Sequence, residues 1–264
     1  MFNVVKAELR KMKRPSLTLV TFSIVTALSA LFTSLIFLRL GKPSDRPRGR
    51  EMAQSVESMA HFDGAYYSFT LMGLFIGLIA LTVFASQSSN EYTYGTLRNL
   101  LVRQPSRMKL LAGKFFAMSI FATVLVAVAA IVNISLSYIE SGYSHVDTKL
   151  WLSSKAISGF STAFGNMVLG TIGYGVVGMS LGIILKSPMS AISISLLWFM
   201  VLENILGAVL SSASKWLPGN SLSAVSTGGA KVFTYERGLI ISGCYLLLFG
   251  GIATILFKRR DVAS

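Results

Sequence analysis

The sequence predicts an all-α polytopic membrane protein. It has six transmembrane helices, an N-terminal amphipathic helix and a basic helical segment between spans two and three. Three observations lead there. Of the 264 residues, 53% are hydrophobic and only 13% charged, with a mean hydropathy of +0.63, too little polar surface for a soluble chain. The apolar residues fall into runs of bilayer length, at ~1.5 Å of rise per helical residue across a ~30 Å hydrocarbon core. The cations sit at the ends of those runs. A net charge of +13, from 24 Lys and Arg against 11 Asp and Glu, could suggest nucleic acid. Cations flanking apolar runs point instead to lipid headgroups, so the expected partner is the bilayer and no nucleic acid.

Residues 1–14 place Phe2, Val5, Leu9 and Met12 on one helical face, with Lys6, Arg10 and Lys13 away from it. This spacing predicts a helix lying in the membrane interface. Span one follows at 16–38 and ends without a small-x-small cleavage site, so it is read as a retained span, not a signal peptide. From Arg39 to Asp63 the chain is polar and carries Pro43 and Pro47, a loop with a short helix near 51–60. His61 has no second His or Cys nearby to complete a metal set. Span two is 66–86 and contains Gly73-x-x-x-Gly77, a spacing that allows close helix approach.

Asn90 to Lys114 is the segment around which the chain is organised. Asn90 is placed as a helix N-cap, followed by Glu91, Gly95-Thr96-Leu97-Arg98, the apolar Leu100-Leu101-Val102, the breaker Pro105, and Arg103, Arg107, Lys109 and Lys114. Span three is 110–138. Its Asn133-Ile134-Ser135 fits a glycosylation pattern but falls at membrane depth. Span four, 156–185, holds Gly165, Gly170, Gly173, Gly175, Gly178 and Gly182, predicting close packing, a kink, or both. After the turn Lys186-Ser187-Pro188 comes span five, 189–210, with Glu203 as the one carboxylate well inside an apolar run. Such a group faces a partner or a water-filled cavity, not lipid. It is read either as a pathway or gating residue or as a helix–helix hydrogen bond. Ser211 to Tyr235 is too apolar for a free loop and suits a segment dipping into the interface. Span six is 238–257, closed by Lys258-Arg259-Arg260. The whole chain, 1–264, reads as a single transmembrane domain. Its only cysteine, Cys244, lies in span six, so no intrachain disulfide can form.

The acid and aromatic at the end of span two, then Gly-Thr-Leu-Arg, then Pro-Ser-Arg and a Gly-Lys opening span three, resemble the permease subunits of type-2 ATP-binding-cassette exporters. The small bacterial six-span type is the closest in layout. By this resemblance 90–107 is the cytoplasmic coupling helix that sits in a cleft of the ATPase, and Glu91, Gly95, Thr96, Arg98 and Arg107 are the coupling positions. The resemblance implies two ATPase subunits as partners and a second permease copy or a homologue. It also implies a location in the bacterial plasma membrane, and broken helices between spans five and six.

Six spans put both termini on one side. With the termini cytoplasmic, 14 Lys and Arg lie inside and 10 outside, while three acids lie inside and seven outside, an asymmetry in keeping with the positive-inside rule. The chain carries no phosphate-loop motif, no His-Glu-x-x-His and no zinc-type cysteine spacing. It is therefore expected to be no enzyme and to hold no cofactor, ATP and Mg²⁺ being bound by the partner ATPase. The function expected is export coupled to ATP hydrolysis elsewhere. The alternatives are an ion-gradient-driven transporter using Glu203, or an assembly factor without transport of its own.

Overall fold

The computed structural model describes residues 2–40, 56–210, 212–229 and 233–259. Among them there is no β-strand, and six helices are long and apolar enough to cross a membrane. Helix α1 is Phe2–Met12 and the first span, α2, is Pro15–Leu38, with Pro15 in the first turn where its missing N–H costs nothing. Short helices α3 (Val56–Met59) and α4 (Tyr67–Leu71) lead to the second span, α5, Gly73–Thr93. Then come α6 (Leu97–Arg103), the third span α7 (Arg107–Tyr143) and the fourth span α8 (Ser154–Leu185). The fifth span is α9 (Pro188–Leu196), a π-helical turn at Leu197–Leu202, and α10 (Glu203–Val209). Helix α11 is Pro218–Thr227 and the sixth span, α12, is Tyr235–Arg259.

Some boundaries differ from the sequence reading. Span two starts at Gly73, not 66, because the chain breaks at Met72 after two short helical turns. It runs on to Thr93 because its polar end finds partners: Ser89 donates to the Ala85 carbonyl and Asn90 to Ser86. Asn90 is thus interior to a helix and caps nothing. Spans three and four extend to 107–143 and 154–185, their starts capped by Ser106 and Ser153, which accept from the Lys109 and Ala156 amides. Of the short helix expected near 51–60, the described part is α3; 51–55 lie outside the described residues, as do Arg260 and Asp261 of the closing basic run.

Spans α5 and α8 form the centre: 61% of the apolar window of each is buried, against 17–22% for the first, fifth and sixth spans. Glycines bring the two backbones together. A Cβ on Gly182 would lie 2.6 Å from the Ala85 carbonyl, one on Gly178 would collide with that of Leu81, and one on Gly175 would lie 2.6 Å from the Phe84 ring. The glycine-rich span is therefore a packing seam. Helix α2 meets α7 through a fourfold-spaced buried stripe, Thr21, Val25, Ser29, Thr33 and Phe37. Within it Thr33 donates to Asn133 at 2.9 Å, or to Ser68 at 3.1 Å. Asn133 is fully buried in this polar contact.

Helix α1 and the last turn of α12 lie at one end of the bundle, here termed basal. There Met12, Phe84, Leu97, Leu110, Met179 and Phe257 share one apolar core. Helices α1, α5, α6, α7, α8 and α12 thereby meet at a single place.

Candidate functional site

Helix α1 does not present the face expected of an interfacial helix. Phe2 is exposed, while Glu8 and Met12 are buried and Val4 packs against Gly113 of α7. The inward stripe is Val4, Glu8, Lys11 and Met12, spaced at three and four residues. An acid and a base on that stripe are carried into the basal end of the bundle.

They meet two more charges there. Lys114 on α7 donates to Glu91 Oε1 at 2.7 Å, to Glu8 Oε2 at 3.1 Å and to the Gln87 carbonyl at 3.1 Å. Its three N–H donors are thus all used. Lys11 reaches Glu8 Oε1 at 2.5 Å and Glu91 Oε1 at 3.0 Å. Two acids and two bases, three of them less than 10% exposed, tie α1 to the ends of spans two and three. Burial pushes the Glu8 carboxyl up, but Lys114 and Lys11 outweigh it and hold the group below its ordinary range. Burial likewise pushes Lys11 down, and Glu91 and Glu8 outweigh it and raise the ammonium. Such an ion cluster stabilises only as a complete set, since each charge has lost its water.

Glu91 is therefore in α5 and turned into the cluster, not on a separate helix. The expected helix over 90–107 is in fact three pieces: the last turn of α5, a tight turn at Tyr94–Thr96, and α6. Gly95 makes the turn possible with φ +62°, the left-handed conformation that glycine adopts without strain. The space around its Cα is open, with no atom within 4 Å of a built Cβ. Thr96 precedes α6 without a side-chain capping bond. Leu97 is buried in the basal core with Leu100 and Leu101 packed beside it. The opposite face of this amphipathic turn exposes Arg98 and Asn99, flanked by Tyr94 and Val102, 74% and 77% exposed. Arg107 points elsewhere: its guanidinium donates to the Phe257 and Lys258 carbonyls, neutralising the C-terminal end of α12. Thr93 makes a similar tie to the Lys186 carbonyl at the end of span four.

The structure thus brings Gly95, Thr96 and Arg98 together on one exposed surface, and places Glu91 in the ion cluster and Arg107 at the end of α12. Between α1, α5 and α6 lies an open cleft of about 520 Å³ lined by Lys11, Arg14, Gln87, Asn90, Glu91 and Asn99.

Glu203 lies in the other half of the fifth span and is 5% exposed. Its Oε1 accepts from Trp198 Nε1 at 2.7 Å and from the Gly219 amide at 2.9 Å. Gly219 is in the first turn of α11, whose N-cap residue Leu217 supplies no side-chain acceptor. The carboxylate thus caps a neighbouring helix. A Cβ on Gly219 would lie 2.7 Å from Phe199 and collide with Glu203. Tyr174 completes the junction, donating to the Gly219 carbonyl at 3.0 Å. The apolar stretch expected to dip into the interface is this α11.

Sequence reasoning did not identify Glu8, Lys11 and Lys114 as site residues. The available signal was Glu8 itself, a single acid on a basic helix three residues from Lys11 and in phase with Met12. Trp198 and Gly219 carried no signal, because what makes them partners of Glu203 is the docking of α11.

Residues 50–263 match the family described as Protein of unknown function (DUF2705). The chain belongs to this family. No curated protein matches this DUF2705 member.

Proposed function

We propose that this chain is the membrane-spanning subunit of an ATP-driven exporter, with cytosolic ATPase subunits docking on the surface formed by Tyr94 to Val102. The observation that carries the reading is the two-sidedness of α6. Its apolar side is fixed in the core where six helices meet, and its polar side is exposed around Arg98. A force applied to such an element reaches several spans at once, which is what coupling to an external motor requires. The exposed Tyr94 and Arg98 are the residue types that anchor protein interfaces, and Val102 adds exposed apolar area beside them. The ion cluster beneath, with Glu91 at its centre, would hold the ends of spans two and three to α1 while the motor moves them.

In this reading ATP and Mg²⁺ belong to the partner, two ATPase subunits serve the complex, and a second copy or homologue completes the pathway. The largely exposed apolar faces of the first, fifth and sixth spans are available to lipid and to that second copy. The basal end is cytoplasmic, in a bacterial plasma membrane. The alternative of an ion-gradient-driven transporter would centre on Glu203, whose carboxylate instead accepts two hydrogen bonds from its own chain.

Site-directed cross-linking tests the proposal. Arg98→Cys in a Cys244→Ser background, labelled with a thiol-reactive photo-cross-linker in native membranes, is expected to capture an ATP-binding protein. Capture of lipid or of the chain itself, with no ATP-binding protein, would overturn it.

A further inference from the structure

The basal cleft shares Tyr94, Thr96, Asn99 and Leu100 with the docking surface, and its remaining wall, from Lys11, Arg14, Gln87, Asn90 and Glu91, adds a chemistry of its own. Its lining is rich in donors that face the open cleft. The Arg14 guanidinium and the side-chain amides of Gln87 and Asn99 have no hydrogen-bond partner among the described residues, and Lys11 uses two of its three donors on Glu8 and Glu91. The one carboxylate in the wall, Glu91, has its charge met by Lys114 at 2.7 Å and Lys11 at 3.0 Å. Two acids and two bases cancel within the cluster, so Arg14 leaves the cleft net positive. A cleft of about 520 Å³ is within the ~300–1,000 Å³ that small-ligand sites occupy. Arg14 is followed directly by Pro15, the first residue of span one, and a cation at the end of an apolar span is of the kind that meets headgroups.

We propose that this cleft binds a phosphate-bearing anion, supplied either by a lipid headgroup or as free phosphate. The Arg14 guanidinium offers paired donors in the geometry that a phosphate accepts. Lys11 adds a point charge from α1, and the Gln87 and Asn99 amides supply neutral donors from α5 and α6. A bound anion would then bridge α1 to α5 and α6, adding to the ion cluster, the apolar core and the Tyr94–Thr96 turn that already join them. The inference does not depend on the exporter reading.

The test uses the full-length chain purified in an uncharged detergent, with native mass spectrometry and titration calorimetry. The probes are dihexanoyl-phosphatidylglycerol, its phosphatidylcholine analogue and inorganic phosphate. Three variants are compared with the native chain: Arg14→Gln, Asn99→Asp, and the control Lys13→Gln, an exposed cation outside the cleft. One equivalent of an anionic probe is expected to bind, weakened tenfold or more by Arg14→Gln and by Asn99→Asp and less than twofold by Lys13→Gln. Saturation by phosphatidylglycerol alone assigns a lipid headgroup, and saturation by both anions assigns the phosphate group itself. Three results overturn the proposal: no saturable binding of either anion, equal losses in Arg14→Gln and Lys13→Gln, or equal binding of phosphatidylcholine. If the anions fail to bind while Arg14→Gln loses a protein partner, the cleft takes a partner's acidic side chain. Arg98 cross-linking is scored separately, so either proposal can fail alone.

Discussion

Lys114 Nζ lies 2.7 Å from Glu91 Oε1, a contact between buried side chains 23 residues apart that joins the end of span two to the start of span three. The segment between them, carrying Gly95 and Arg98, is therefore held at its base by an ion cluster whose second acid, Glu8, comes from the N-terminal helix.

Removing one member of this set leaves the others buried without compensation. Lys114→Met is expected to destabilise the protein by about 3–5 kcal/mol, read as a fall in the thermal unfolding midpoint in detergent. Glu91→Gln combined with Lys114→Gln should cost less than the two single changes added together. Strict additivity would show that the pair is not coupled.

The same cluster sets a pH profile. The folded-state pKa of Glu8 lies below its ordinary 4.5, so its contribution is present above 4.5 and is lost as pH falls through the lowered value. Lys11 titrates above its ordinary 10.5, so its contribution is present below 10.5 and is lost as pH rises through the raised value. Glu8 faces Lys11 and Lys114, and Lys11 faces Glu8 and Glu91. Thermal stability is expected to hold between those limits and fall outside them, with a smaller acid-side fall in Glu8→Gln. An unchanged acid limb in that variant would remove Glu8 from the account.

Gly178 packs against the Leu81 backbone with no room for a side chain. Gly178→Val should force α5 and α8 apart, at a cost of about 1–3 kcal/mol or more. Gly165 faces open space on the same helix, and Gly165→Ala should be neutral or stabilising by about 0.5–1 kcal/mol through helix propensity. Equal effects at the two positions would contradict the seam.

Glu203→Ala leaves the buried Gly219 amide without its acceptor, a loss of about 1–3 kcal/mol, and also removes the acceptor of the more exposed Trp198 indole. Hydrogen exchange should speed up across Pro218–Thr227 and leave α5 unchanged. Glu203→Gln, which keeps a carbonyl oxygen, should exchange more slowly than the alanine variant.

Six apolar runs of bilayer length were legible in the sequence because hydropathy and helical length are local properties. Gly178 and Gly182 were legible as packing residues for the same reason. The bend at Gly95 was not, since Asn90 and Glu91 look like a helix start when Glu91's partners on α1 and α7 are unseen. The ion cluster joins residues up to 106 positions apart, and no pattern along the chain announces that Glu8 and Lys114 converge. Glu203 stood out as a lone carboxylate, but its capping role depends on where α11 docks.

The central claim is that the exposed face of α6 engages an ATPase, and co-purification tests it most directly. The native chain, Arg98→Glu and Gly95→Asn would be isolated in mild detergent and their bound proteins identified by mass spectrometry. Asparagine tolerates the left-handed turn, so Gly95→Asn adds a side chain to the surface without refolding the loop. The account predicts an ATP-binding subunit with the native chain, lost in Arg98→Glu and reduced in Gly95→Asn, while both variants keep the native unfolding midpoint. Absence of an ATP-binding subunit from the native chain, or its equal recovery with all three, would contradict it.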